Sequence, residues 1–301
     1  MDRRFLLQSL AAASAAVAAN PAVAQPNRTR REARAFVTTA DGAQLAVRDW
    51  GEGSPVVLVH SWALTSEMWG QQVLALTEAG FRCITYDRRG HGASSDPGRG
   101  YDPDTLAGDL AAVMDALDVT GAVLVGHSMG AGEIARYLAR GGERRVKAAA
   151  LLAPTTPYLT KTADNPYGLP PQAWEQLRAT WRKDFPKWVA DNTPPFFTPQ
   201  TSQATMQWGA NMLLRCPLPV AVACNKVVTD TDYRPDLARI RVPFLVVHGD
   251  ADASAPLDIT GRRTAALVPH SRLVVIPGAP HGLFVTHAEQ VNRELIAFAK
   301  A

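Results

Sequence analysis

The chain has 301 residues, is 47% hydrophobic and 20% charged, and carries a formal net charge of +3. That length and apolar content suffice for a substantial core within one domain. With no Lys/Arg block beyond residues 28–34, the charge pattern excludes a nucleic-acid-binding footprint.

The N-terminus reads as a targeting segment rather than as fold. Arg3-Arg4 precede Phe5-Leu6-Leu7, and an Ala-rich apolar stretch leads to Ala22-Val23-Ala24, an A-x-A cleavage pattern. The pair of arginines before Phe-Leu-Leu resembles a twin-arginine export signal. Interrupted by Ser9, Ser14, Asn20 and Pro21, the apolar run is too short for a comfortable membrane span. The expectation is a signal peptide over residues 1–24 and a basic mature segment over 25–34. The mature protein is then expected to be periplasmic or secreted, with no stable membrane association after cleavage.

From residue 35 onward one alternating pattern runs to the end. Residues 36–50 read as a hairpin around Asp41-Gly42. Strand-like runs follow at 56–60, 82–86, 122–126, 147–152, 244–248 and 272–276. They alternate with helical patterns near 67–79, 104–117, 129–140, 258–268 and 286–299. Such alternation requires an α/β architecture, a mostly parallel sheet flanked by helices, with the site on loops at the strands' C-terminal ends. Between residues 154 and 241 the alternation stops and aromatic residues gather among prolines. This stretch reads as a helical cap inserted between core segments 35–153 and 242–301.

The pentapeptide Gly126-His127-Ser128-Met129-Gly130 joins a buried-strand pattern to a helical one. GxSxG in that context is a nucleophile elbow, whose glycines permit the sharp turn that exposes Ser128 above the sheet. A serine hydroxyl is a weak nucleophile, so a histidine base and an orienting carboxylate are required further along. Two loops supply them. Strand pattern 244–248 leads into Gly249-Asp250-Ala251-Asp252, and pattern 273–276 leads through Pro277-Gly278-Ala279-Pro280 to His281. Asp250 directly follows its strand, where it can brace the turn, whereas Asp252 lies further out and reaches the neighbouring loop. Asp252 is therefore favoured as the acid.

Among seven histidines, only His281 occupies a Gly/Pro-rich loop beyond a C-terminal strand. His287 falls in the last helical pattern, His270 in an exposed turn and His248 at a strand end as a satisfied core residue. His91 reads as part of a structural turn, and His127 as pointing inward. For the oxyanion, the backbone N–H of Met129 stands at a helix N-terminus, and the Trp62 N–H follows strand 56–60. Phe196, Phe197 and Phe284 are the favoured pocket residues, the last three positions beyond His281. The small residues Ala253, Ser254 and Ala255 suggest a roomy pocket.

The segments HSWALTSEMW (60–69), YDRRGHGASS (86–95), GHSMGAGEIARYLAR (126–140), VVHGDADASAP (246–256) and GAPHGL (278–283) resemble the cofactor-free bacterial haloperoxidases and their arylesterase relatives. The likeness runs from about residue 36 to the C-terminus. It implies an α/β-hydrolase fold, a Ser128-His281-Asp252 triad, and Trp62 and Met129 as oxyanion donors. It also implies hydrolysis of small aryl and alkyl esters, with peracid formation from carboxylic acids and hydrogen peroxide as an alternative. Two positions depart from the family: Ser61 replaces its usual glycine, and Ala63 stands where members noted for peracid formation often carry proline. Ester hydrolysis is therefore ranked first and perhydrolysis second.

Lactone hydrolysis by the same residues stays open. Ser128 disfavours the carboxylate-nucleophile dehalogenases and epoxide hydrolases, and a complete triad disfavours a non-catalytic ligand-binding protein. No cofactor is needed for acyl transfer and no metal-ligand spacing appears. The expected partner is a small-molecule ester or carboxylic acid, with no nucleic acid; homo-oligomerisation is open. Cys83 reads as a core residue, while Cys216 and Cys224 flank a proline-containing segment and could pair in an oxidising compartment.

Overall fold

The computed structural model describes residues 35–301. The expected signal peptide and basic segment, residues 1–34, lie outside the described residues.

The hairpin forms as β1 (Phe36–Thr38) and β2 (Gln44–Trp50), closed by Gly42 at a φ of 88° that its missing Cβ allows. β3 (Pro55–Val59) leads through a 3-10 turn (Ser66–Trp69) into α1 (Gly70–Glu78). β4 (Arg82–Tyr86) is followed by α2 (Pro103–Ala116), which begins where the Asp102 carboxylate accepts the Thr105 N–H. β5 (Ala122–His127) and α3 (Met129–Ala139) enclose the elbow, and β6 (Val146–Leu152) ends the first core half.

The cap comprises α4 (Pro171–Asn192), α5 (Gln203–Leu214) and α6 (Leu218–Asp230). α4 breaks at Asp184, because Pro186 has no N–H to continue the ladder. The Asp184 carboxylate then accepts the Lys187 N–H at 2.9 Å and starts the second half. A short α7 (Arg234–Leu237) returns the chain to β7 (Phe244–Gly249), α8 (Gly261–Leu267) and β8 (Ser271–Ile276). The expected helix over 286–299 forms as α10 (Ala288–Lys300), preceded by a short α9 (Leu283–Thr286), so His287 sits at their junction rather than within a helix. Its backbone leaves helical geometry there, and its Nδ1 meets Thr286 Oγ1 at 2.9 Å.

The eight strands are ordered β1-β2-β4-β3-β5-β6-β7-β8, antiparallel at β1-β2 and β2-β4 and parallel beyond. Period-two alternation divides their side chains between two cores. Val57, Val59, Leu124, Leu151 and Val246 pack under α2 and α3, while Val56, Leu58, Val123, Val125 and Val247 face α1 and α10. A third apolar cluster joins the cap to the loop after β3 through Ala63, Met129, Trp181, Phe185 and Val220. Among the described residues no single helix is long and apolar enough to cross a membrane. Cys83, Cys216 and Cys224 are all free and buried, so Cys216 and Cys224 form no disulfide here.

Candidate active site

Ser128 turns the chain from β5 into α3 at φ 54° and ψ −113°, a conformation that is costly for a residue with a Cβ. Its surroundings hold it there. The Ser128 N–H donates to Leu152 O at 3.0 Å, and its own carbonyl accepts the Ala131 N–H at 3.1 Å. A Cβ on Gly130 would stand 2.5 Å from Val59 O, so only glycine lets the elbow approach β3 this closely.

His281 reaches the serine from the loop after β8. Its Nε2 lies 2.9 Å from Ser128 Oγ and its Nδ1 2.7 Å from Asp252 Oδ2. Three loops, after β5, β7 and β8, therefore place Ser128, Asp252 and His281 in one chain of hydrogen bonds, with all three residues buried. The His281 loop is held from both sides. His127 Nε2 donates to His281 O at 2.9 Å, and the Gly282 N–H donates to Phe196 O at 2.9 Å. Burial, reinforced by His281, keeps His127 uncharged by pushing its pKa well below the usual value.

Asp252 is saturated with donors. Its Oδ1 accepts the N–H groups of Ser254 (2.9 Å) and Ala255 (2.7 Å), and its Oδ2 accepts from both His281 and His248. Burial opposes its charge, yet the neighbouring His281 and these bonds hold the carboxyl well below the ordinary carboxylate range. Asp250 points elsewhere and accepts the Gly278 N–H at 2.6 Å, bracing the β8 turn. At its strand end His248 reads as a satisfied core residue, and it is fully buried. The structure places its Nε2 3.1 Å from the acid, a partnership that residue spacing does not reveal.

The backbone N–H groups of Trp62 and Met129 have no acceptor among the described residues, as an oxyanion site requires. What fixes the Trp62 loop is a buried charge network. Arg88 Nη2 donates to His60 O at 2.7 Å and Nη1 to Ser61 O at 3.1 Å, drawing the chain out of β3 before residue 60. Its Nε donates to Glu133 Oε1 on α3 at 2.6 Å. Burial opposes the Arg88 charge but Glu133 more than restores it, and the same burial raises the Glu133 carboxyl. The loop at 86–95 is therefore more than a structural turn: Arg88 ties the loop after β3 to α3. A glutamate directly after the small and apolar residues that open α3 was the available signal.

Trp62 also reaches upward. Its indole N–H donates to Ala221 O of α6 at 2.8 Å, and its ring stacks on Trp181 at 4.9 Å. Beside Ser128 and His281 lies a largely apolar cavity of about 330 Å³. Phe196, Phe197 and Phe284 line it, as do Ala253 and Ser254. Its cap side carries Trp174, Trp181 and Trp188, residues that the sequence ranked no higher than packing. Ala255 is fully buried and does not face it.

With this geometry in hand, similarity to known proteins is informative. Residues 56–294 match the alpha/beta hydrolase family. A non-heme chloroperoxidase from Streptomyces lividans is 39% identical over 273 residues, covering 88% of this chain and 99% of the relative. A bifunctional esterase/perhydrolase from Acinetobacter calcoaceticus is 36% identical over 278 residues, with the same coverage of 88% and 99%. The crystal structure of a bromoperoxidase from Bacillus anthracis superposes with a TM-score of 0.85 at 35% identity, covering 89% and 99% of the two chains.

Proposed function

The chain belongs to the alpha/beta hydrolase family, with non-heme haloperoxidases and an esterase/perhydrolase among its relatives, and on that premise we propose that it hydrolyses small carboxylic esters through an acyl-enzyme on Ser128. The observation that carries this reading is the relay from Ser128 Oγ through His281 to Asp252, at 2.9 and 2.7 Å, beside an apolar cavity.

His281 Nε2 takes the serine proton as Oγ attacks the ester carbonyl, and Asp252 holds the Nδ1–H tautomer and offsets the imidazolium charge. Trp62 and Met129 N–H groups receive the oxyanion. Collapse expels the alcohol, which takes its proton from His281. Water, deprotonated by the same nitrogen, then attacks the acyl carbon and frees the carboxylic acid and Ser128. Mass spectrometry of protein quenched during turnover of p-nitrophenyl acetate tests this, since the acetyl group should sit on Ser128; an acetyl group found only elsewhere refutes it.

Perhydrolysis shares the acyl-enzyme and differs in hydrogen peroxide replacing water as the attacker. The relatives named for peroxidase or perhydrolase activity favour keeping it. One feature ranks it second. Ala63 adopts φ 53°, a value that a proline ring forbids. The backbone after Trp62 therefore follows a path closed to the proline-bearing loop associated with peroxide attack. A lactone, as a cyclic ester, would meet the same groups.

The twin-arginine-like segment supports export to the periplasm or medium with cleavage after Ala24. N-terminal sequencing of exported protein beginning before Ala22 would rule that cleavage out.

A further inference from the structure

The cap side of the cavity contains a buried polar cluster that the triad does not use. Arg178 of α4, with 2% of its side chain exposed, donates through Nη1 to Asn225 Oδ1 at 2.9 Å and to Thr229 Oγ1 at 3.2 Å. Through Nη2 it reaches Glu175 at the surface, at 2.9 Å. Trp174 and Arg178 are four residues apart on α4, and Asn225 and Thr229 four apart on α6, so each pair shares one helix face. Trp174, Asn225 and Thr229 line the cavity together with Ser128 and His281.

A guanidinium has donors only, so it fixes which way the Asn225 amide points. The oxygen must face Arg178. The amide NH2 is left without an acceptor among the described residues, on a side chain that borders the cavity. Nearby, the Trp174 indole N–H and the Arg178 Nε–H are buried and also lack a partner. In this corner Asn225 Oδ1 and Thr229 Oγ1 each already accept from Arg178. Buried polar groups are ordinarily paired, and a few donors in an otherwise apolar pocket fix a ligand's orientation.

We propose that Asn225, oriented by the buried Arg178, forms a polar subsite in the cap that binds a hydrogen-bond acceptor, a carbonyl or carboxylate oxygen, borne on the acyl part of the substrate. The preferred esters are then those of oxo- or carboxy-substituted acids rather than simple alkanoates. Arg178 is a positioning residue and Asn225 the binding one. This deepens the ester-hydrolase reading and rests on it for the direction of the acyl chain.

The test compares kcat/KM for p-nitrophenyl esters of 4-oxopentanoate, 5-oxohexanoate and 6-oxoheptanoate, each against the alkanoate of equal chain length. A monoester of glutaric acid serves as the carboxylate arm. Wild-type protein should favour at least one acceptor-bearing ester by about tenfold, the scale of one well-placed hydrogen bond in a closed site. Asn225→Asp keeps the shape and the bond to Arg178 but exchanges the donor for an acceptor. The preference should vanish, with the glutarate monoester losing most. Binding of the free acids to Ser128→Ala, measured by calorimetry, gives the same comparison without turnover. It separates the two readings: acceptor-selective binding without hydrolysis of any ester would defeat the esterase and leave the subsite standing. Equal treatment of oxo and alkyl compounds by wild-type protein, or an unchanged ratio in Asn225→Asp, would show the cluster to be only a brace between α4 and α6.

Discussion

His248 donates its Nε2–H to Asp252 Oδ2 at 3.1 Å, the same oxygen that receives His281 Nδ1–H at 2.7 Å. Because His248 Nε2 also contacts Ala255 O at 2.8 Å and both neighbours are acceptors, that nitrogen must carry the hydrogen. Asp252 is thereby anchored to the end of β7 as well as bonded to His281.

Removing that anchor leaves a buried carboxylate short of one donor. Loss of a hydrogen bond to a charged group costs about 1.5–3 kcal/mol, so His248→Ala should lower kcat about 10- to 100-fold with KM little changed. His248→Gln, whose amide can still donate, should recover part of the loss. Equal activity of wild type and His248→Ala in steady-state assays would refute the positioning role.

Asp252 and Asp250 separate the acid from the brace. Asp252→Asn should reduce kcat by about 10³- to 10⁴-fold, as the histidine loses its oriented tautomer. Asp250→Asn disturbs only the Gly278 turn and should cost less than about tenfold. Comparable losses in the two variants would overturn the assignment.

The depressed pKa of Asp252 also sets a pH dependence of stability. Its folded value lies below the unfolded value of about 3.9, so the unfolded chain binds the proton first as pH falls. The stabilisation is complete above about pH 5 and is lost below about pH 4, at up to about 1.4 kcal/mol per pH unit. Urea unfolding should show a shallower acid loss in Asp252→Asn than in wild type; parallel curves would deny the coupling.

Legibility in the sequence followed the range of the interactions. Buried strand runs such as VVLV and AVLV, and the elbow glycines, act locally and can be read from a few residues. The contact between Arg88 and Glu133 spans 45 positions, and that between Trp62 and Ala221 spans 159. Neither leaves a periodic trace. The start of the last helix just after His287 was blurred because apolar spacing continues back into α9. His248 is the core histidine that its strand-end position suggests, but its contact with Asp252 was not legible, because a core histidine and an anchor for the acid present the same pattern until β7 and β8 are placed side by side.

The Arg88–Glu133 pair links the loop after β3, proposed to hold the oxyanion donor Trp62, to α3, and both side chains are 1% exposed. Glu133→Gln leaves a buried guanidinium without its counter-charge and should destabilise the protein by about 3–5 kcal/mol in denaturant titrations. Arg88→Lys keeps the charge but cannot grip His60 O, Ser61 O and Glu133 together, so kcat should fall more than stability does. If kcat and melting behaviour were both unchanged in Arg88→Lys, the clamp would have no part in holding the oxyanion loop.

The most direct measurement is the initial rate of p-nitrophenyl acetate hydrolysis by the purified protein and its Ser128→Ala variant, with and without hydrogen peroxide. Loss of about 10⁴-fold or more in the variant is expected, with the hydroxyl of the relay gone and the fold intact by circular dichroism. Peracid output should be minor beside hydrolysis in the wild type. Hydrolysis by Ser128→Ala at the wild-type rate would contradict the acyl-enzyme account, whatever the peroxide result.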